Sequence, residues 1–188
     1  MSLPLSSVAT QEYSAEERKV LLQLAHHSIA ARLRGEKPDL TPPTEHFGER
    51  RGAFTTLHLH GQLRGCIGYP SPVATLYQTV AETAAAAAFE DPRFHPVGSE
   101  EAPLLKIEIS VLSPLQPITA EQVEVGKHGL VVSYHGRRGL LLPQVPVELG
   151  WDRETFLSET CVKAGVPPDA WKQGAKLEAF TAEVFGEK

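Results

Sequence analysis

Residues 53–69 constrain the fold more than any other stretch of the chain. Ala53, Thr55, Leu57 and Leu59 alternate with Phe54, Thr56, His58 and His60, the two-residue period of a half-buried strand. Gly61 and Gln62 then supply a turn, Leu63 to Tyr69 returns as a second strand, and Pro70 and Pro72 end it. A lone two-stranded hairpin is marginal in water and needs a layer to pack against. The next segment, VATLYQTVAETAAAAAF at 73–89, provides one. It predicts a helix whose alanines permit close approach. DPRFHP at 91–96 stops it, because Pro92 and Pro96 cannot continue a helix.

The remaining elements follow from caps and periodicity. Ser14 with Glu17 is a capping-box pattern, Leu21, Leu24, Ile29 and Leu33 form an apolar stripe, and Gly35 stops that helix. Residues 36–50 carry three prolines and predict a long surface connection. Residues 104–112 predict a buried strand with Lys106, Glu108 and Ser110 on its second face, and 119–123 one helical turn. Gly129–Tyr134 and Arg138–Leu142 predict a second hairpin, turning at His135-Gly136. Asp152 caps a helix that runs to Ala164 and stops at Gly165, and 176–185 alternates as one final strand. Strands and helices do not alternate strictly, so the expected class is α+β, a mostly antiparallel sheet with flanking helices. Residues 14–185 form the expected folded unit and 1–12 a loose N-terminal tail.

Composition narrows the function classes. With 188 residues, one domain or two intimate lobes is expected. A hydrophobic fraction of 41% is enough for a true core. No run approaches the roughly 20 apolar residues of a membrane span. The N-terminus has neither the basic start nor the apolar segment of a signal peptide, so a cytoplasmic location is expected. Lys and Arg number 18 against 23 Asp and Glu. That net charge of −5 argues against nucleic acid as partner. Two cysteines in such a chain are expected to stay reduced.

LRGCIGYP at 63–70 is the most unusual segment chemically. Gly65 and Gly68 weaken a strand unless a backbone or ligand comes close or the turn of the chain demands positive φ. Between them sits Cys66, two residues from Arg64, whose guanidinium would favour a thiolate. A small buried thiol beside packing glycines is the plainer reading. Arg93, in the turn after Asp91-Pro92, could hold an anion bidentately, or the turn could simply end the helix. His128, in GKHGL, could move protons or be an ordinary loop histidine. Arg138 at a hairpin and Gln144 after Pro143 complete the candidates. Cys161 falls on an apolar helix face and reads as a core thiol. His58 and His60 lie two apart, yet no zinc-type spacing is present, so no metal and no cofactor are expected. Phosphate-cradling glycine loops and a GxSxG elbow are also missing from the sequence.

LRGCIG at 63–68, AFEDPRF at 88–94, IEISVLS at 107–113, VGKHGLVV at 125–132, RRGLLLPQV at 137–145 and GWDRETFLSETCVKAGVPPDAW at 150–171 occur in one order. Together they resemble the AMMECR domain family, named for the Alport syndrome, mental retardation, midface hypoplasia and elliptocytosis chromosomal region. The resemblance covers about residues 14–185. It implies an α+β protein of two lobes around a cleft, with the hexapeptide lining or supporting that cleft. It implies a functional link to Memo-type and radical-SAM proteins, and supplies no established activity. It marks Arg64, Gly65, Cys66, Gly68, Asp91, Pro92, Arg93, Glu108, His128, Arg138 and Gln144 as motif positions. Two readings stand at this point. One is a small cytosolic enzyme using Cys66 as nucleophile or redox thiol and His128 as proton carrier. Its substrate would be a small molecule or protein-borne group, contacted by Arg64, Gly65, Gly68, Asp91, Arg93, Glu108, Arg138 and Gln144. The other is a non-catalytic module whose cleft receives a peptide or partner protein.

Overall fold

The computed structural model describes residues 11–188. Helix α1 (Ala15–Leu33) starts at Ser14, whose hydroxyl accepts the Glu17 N–H while the Glu17 carboxylate accepts the Ser14 N–H. It ends before Gly35, at φ +68°. Its buried face is Leu21, Leu24, Ala25, Ser28 and Ile29, whereas Leu33, expected in the stripe, is 37% exposed. The long connection holds one short turn of helix, α2 (Glu45–Gly48).

Strands β1 (Ala53–Leu59) and β2 (Gln62–Tyr69) form the expected hairpin. The residues turning it are His60 and Gly61, at φ +51° and +77°. Positive φ at both central residues matches strand twist. The same His-Gly pair, at φ +47° and +76°, joins β5 (Gly129–Tyr134) to β6 (Arg137–Leu141). Helix α3 (Leu76–Phe89) is capped by Thr75 and buries ten of its side chains, six of them alanines. It lies between α1 and the hairpin. Strand β3 (Lys106–Leu112) pairs with β1.

The chain builds two antiparallel four-stranded sheets, in the orders β2-β1-β3-β8 and β4-β7-β5-β6. Here β4 is Gln116–Pro117, β7 Lys176–Phe180 and β8 Ala182–Gly186. Helices α1 and α3 cover one face of the first sheet over a core that includes Leu21, Ile29, Leu57, Leu76 and Ile109. After the short α4 (Gln144–Glu148), helix α5 (Arg153–Lys163) begins at the Asp152 cap. It covers the outer face of the second sheet with Phe156, Leu157 and Cys161. Phe156 is fully buried, a contribution of about 1.5–3 kcal/mol from apolar area alone. The inner faces meet through Phe54, Leu112 and Ala182 from the first sheet and Val131, Leu140 and Phe180 from the second.

Two expectations change. The single strand expected over 176–185 is two strands in different sheets, with the crossing at Thr181. The alternation inverts its phase at the adjacent apolar pair Ala179-Phe180, a sign of the crossing that is passed over when 176–185 is read as one alternating run. The outgoing chain crosses beside it: Ser113 N–H donates to the Thr181 carbonyl, and Thr181 N–H donates to Ser113 Oγ, both at 2.8 Å. Of the expected loose tail, residues 1–10 lie outside the described residues. Glu12, assigned to that tail, is anchored instead. Its N–H donates to Glu183 and its carboxylate takes the Arg51 guanidinium. Among the described residues no helix is long and apolar enough to cross a membrane.

Candidate functional site

β2 is an edge strand, and its register with β1 slips at Arg64: Leu57 pairs with Gly65 but His58 with Leu63. The bulge sets the faces of the signature. At Gly65 the strand backbone abuts α3, so an added Cβ would sit 2.1 Å from the Ala87 carbonyl oxygen. At Gly68 it would sit 2.0 Å from the Phe54 ring. Neither glycine has positive φ; both are needed for room.

Cys66 is half-buried. On the pleat it faces away from α3. Its Sγ lies 3.2 Å from Thr56 Oγ1, and its backbone N–H donates to Asp91 Oδ2 at 2.9 Å. Asp91 is buried and also accepts the Arg93 N–H, Nε and Nη2, at 3.1, 3.0 and 2.7 Å. The Arg93 guanidinium, helped by the Cys66 and Arg93 backbone N–H groups, holds the Asp91 carboxyl well below the usual carboxylate range. Arg64 makes the matching fork with Glu101, Nε and Nη2 each at 3.0 Å. Arg64, with the Gly98 N–H, lowers the Glu101 carboxyl. Both guanidiniums pack on Phe94, at 5.9 Å and 5.4 Å from its ring centre. The fork expected of Arg93 to hold an anion is thus spent on a carboxylate of the same chain, as is that of Arg64, although the Arg93 side chain stays 56% exposed. Asp91, expected to contact substrate, is the clasp that fixes the cysteine's strand.

Register fills in the rest of the face. Cys66, Thr56 and Glu108 form one row across β2, β1 and β3. Gly68, Phe54 and Ser110 form the row on one side, Leu63, His58 and Lys106 the row on the other. Directly opposed residues stand about 5 Å apart and diagonal ones about 7–8 Å. Cys66 therefore has Thr56 as its neighbour, His58 on the diagonal and Glu108 two strands away. His58 and Glu108 are half-buried, and among the described residues neither is hydrogen-bonded by its side chain to another residue. Sequence reasoning weighed His58 only as a metal ligand and passed over Thr56 and Glu101. The β1–β2 alternation carried the signal for Thr56 and His58.

The other candidates lie with the second sheet. His128 is in the loop before β5, lining a cleft of about 660 Å³ that does not include Cys66. Burial and then Lys127 push its pKa down. Its Nδ1 accepts the Glu124 N–H at 3.0 Å, so the neutral ring carries its proton on Nε2 and faces the cleft as a donor. Arg138 lines a smaller cavity between the sheets. Gln144 is exposed at the start of α4. None of the three shares a hydrogen bond or a cavity with Cys66. For a metal, one group among the described residues has suitable donors: Glu12, His46 and Glu49. The buried Arg51 guanidinium bonds both carboxylates, so a cation of this chain is already shared between them. His58 and His60 do not pair as ligands, since His60 sits in the turn.

The fold recurs in a solved structure, and the sequence has similar relatives. A crystal structure of an uncharacterised protein from Pyrococcus horikoshii is similar, with a TM-score of 0.75, 41% identity and 90% of each chain covered. A protein of Methanothermobacter thermautotrophicus is 44% identical over 186 residues, covering 93% of this chain and 96% of the relative. A protein of Methanosarcina acetivorans is also 44% identical over 186 residues, covering 92% of each. None of these names states an activity. The AMMECR1 family model matches residues 22–185. The chain therefore belongs to the AMMECR1 family.

Proposed function

We propose that the protein acts through the half-exposed part of the first sheet's inner face, beyond the residues that meet the second sheet, with Cys66 as the reacting thiol, on a group carried by a protein or other large partner. One observation carries this reading: among the described residues Cys66 lines none of the three best-formed cavities, yet stands half-exposed on a strand clasped in place by Asp91 and Arg93. A small molecule gains most when a pocket surrounds it. A shallow sheet face suits a surface that brings the reactive group to the thiol. Thr56 orients Sγ through its hydroxyl. His58, on the diagonal, is placed to take the thiol proton, and Glu108 to bind the partner's donors. A persistent thiol fits a reducing compartment such as the cytosol. Memo-type and radical-SAM proteins, implied by the family resemblance, are the first partners to test.

A second reading has its own support. Among the described residues no base is hydrogen-bonded to the sulfur, and both nearby guanidiniums are paired with carboxylates. That is the pattern of a binding face without chemistry. Alkylation of Cys66 by iodoacetamide in a Cys161→Ala chain, followed against pH, separates the two. If His58 handles the proton, His58→Gln slows alkylation near neutral pH and flattens its pH profile, while His128→Gln changes neither. Identical profiles for the parent and His58→Gln would leave the binding face as the better reading.

A further inference from the structure

The cavity between the two sheets differs from the cysteine face in kind. It measures about 220 Å³ and its walls are apolar: Pro70 and Pro72 from the turn after β2, Leu112, Leu115, Leu140 and Phe180. One charged side chain lines it, Arg138. Arg138 and Leu140 are two apart on β6 and so share the face that looks toward the first sheet. The Arg138 guanidinium makes no hydrogen bond or ion pair among the described residues. By contrast, Arg18, Arg32, Arg51 and Arg64 each have a carboxylate partner, from Glu183, Glu90, Glu12 and Glu101 respectively. Next to Arg138, Arg137 turns the other way and donates to the Gly165 carbonyl at 2.9 Å.

We infer that this inter-sheet cavity binds a small amphipathic carboxylate, its head group on Arg138 and its short apolar tail among Pro72, Leu112, Leu140 and Phe180. The charge follows from a planar fork with its donors unspent. The tail follows from walls that offer little else to a ligand. The size follows from the volume, which is below the roughly 300–1,000 Å³ of pockets for larger ligands. The site is independent of any chemistry at Cys66, and its test does not depend on that reading.

Chemical-shift titration of the labelled, intact protein with butyrate, hexanoate and hexanol tests it. Hexanoate is expected to bind in the millimolar range and to shift the methyl signals of Leu112, Leu115 and Leu140. Hexanol should bind at least about tenfold more weakly, as should butyrate with its shorter tail. Arg138→Gln should weaken hexanoate by a similar factor and leave hexanol unchanged, whereas Arg137→Gln should leave both unchanged. Arg138 is exposed, so its substitution leaves the core intact, and the unshifted resonances of α1 and α3 will verify folding. No shift with hexanoate, equal binding of hexanol, full binding by Arg138→Gln, or shifts centred on the His128 cleft would each overturn the assignment.

Discussion

At residue 65 the backbone of β2 runs against the backbone of α3. A Cβ there meets a carbonyl oxygen that can move only if the helix moves, whereas at residue 68 it meets the Phe54 ring, which can rotate. Gly65→Ala should therefore cost about 3 kcal/mol or more, and Gly68→Ala less, within the roughly 1–3 kcal/mol of ordinary overpacking. Gly61→Ala meets open space but strains a φ of +77°, for about 1 kcal/mol. Urea unfolding of the three variants will rank them, and a Gly65→Ala chain as stable as the parent would remove the close-approach account. Asp91 gives a pH prediction. Its carboxyl is held below its ordinary value, so the ionised form favours the folded state. The contribution is complete above the unfolded pKa of about 3.9 and is lost as pH falls below it toward the folded pKa. Denaturant midpoints measured downward from pH 5 should fall more steeply for the parent than for Asp91→Asn. Parallel curves would show that the clasp contributes nothing.

Among elements, those fixed by local chemistry were legible in the chain. Ser14, Thr75 and Asp152 announce helix starts because a cap needs only neighbours in sequence. Two details of the elements were hidden. The first hairpin turns at His60-Gly61, one residue earlier than glycine placement suggested, because a non-glycine residue accepts the positive φ. The last strand divides at Thr181, and its mark in the sequence is only the adjacent apolar pair Ala179-Phe180, where the alternation inverts its phase. The segment before α1 is anchored by α2: His46 Nδ1 meets Glu17 at 2.6 Å, and the ring stacks on Tyr13 at 4.6 Å. The Glu17 hydrogen bond raises the His46 pKa against the opposing effect of burial. That stabilisation is fully present below the unfolded pKa of about 6.5 and is lost as pH rises through the higher folded value. The stability advantage of the parent over His46→Gln should accordingly shrink as pH rises above about 6.5 in urea titrations. An advantage that grows with pH would contradict the assignment.

For the whole molecule, the two sheets share one inner core and two crossing strands. Phe180 sits in that core and is 2% exposed. Phe180→Ala should cost about 3–5 kcal/mol. Trp151 and Trp171 both belong to the second lobe, so their fluorescence reports that lobe while far-ultraviolet dichroism reports the whole chain. The crossing at Ser113 and Thr181 predicts coincident transitions for the parent; separated transitions would mean independent lobes. The class, α+β with mostly antiparallel pairing, was readable from the pattern of elements. The site was readable only in its centre. Cys66 between two glycines stands out along the chain, but the Asp91 clasp, the carboxylate-paired forks of Arg64 and Arg93, and the distance from Cys66 to the His128 cleft depend on tertiary placement. The account rests on Cys66 standing half-exposed on the part of the first sheet's inner face beyond the contact with the second sheet, while Cys161 is sealed under α5. Native labelling with iodoacetamide and with a polyethylene-glycol maleimide, mapped by peptide mass spectrometry, tests this directly. Both reagents should modify Cys66 readily, and Cys161 only on unfolding. Modification of Cys161 first, or a Cys66 that excludes the bulky reagent while admitting the small one, would contradict it.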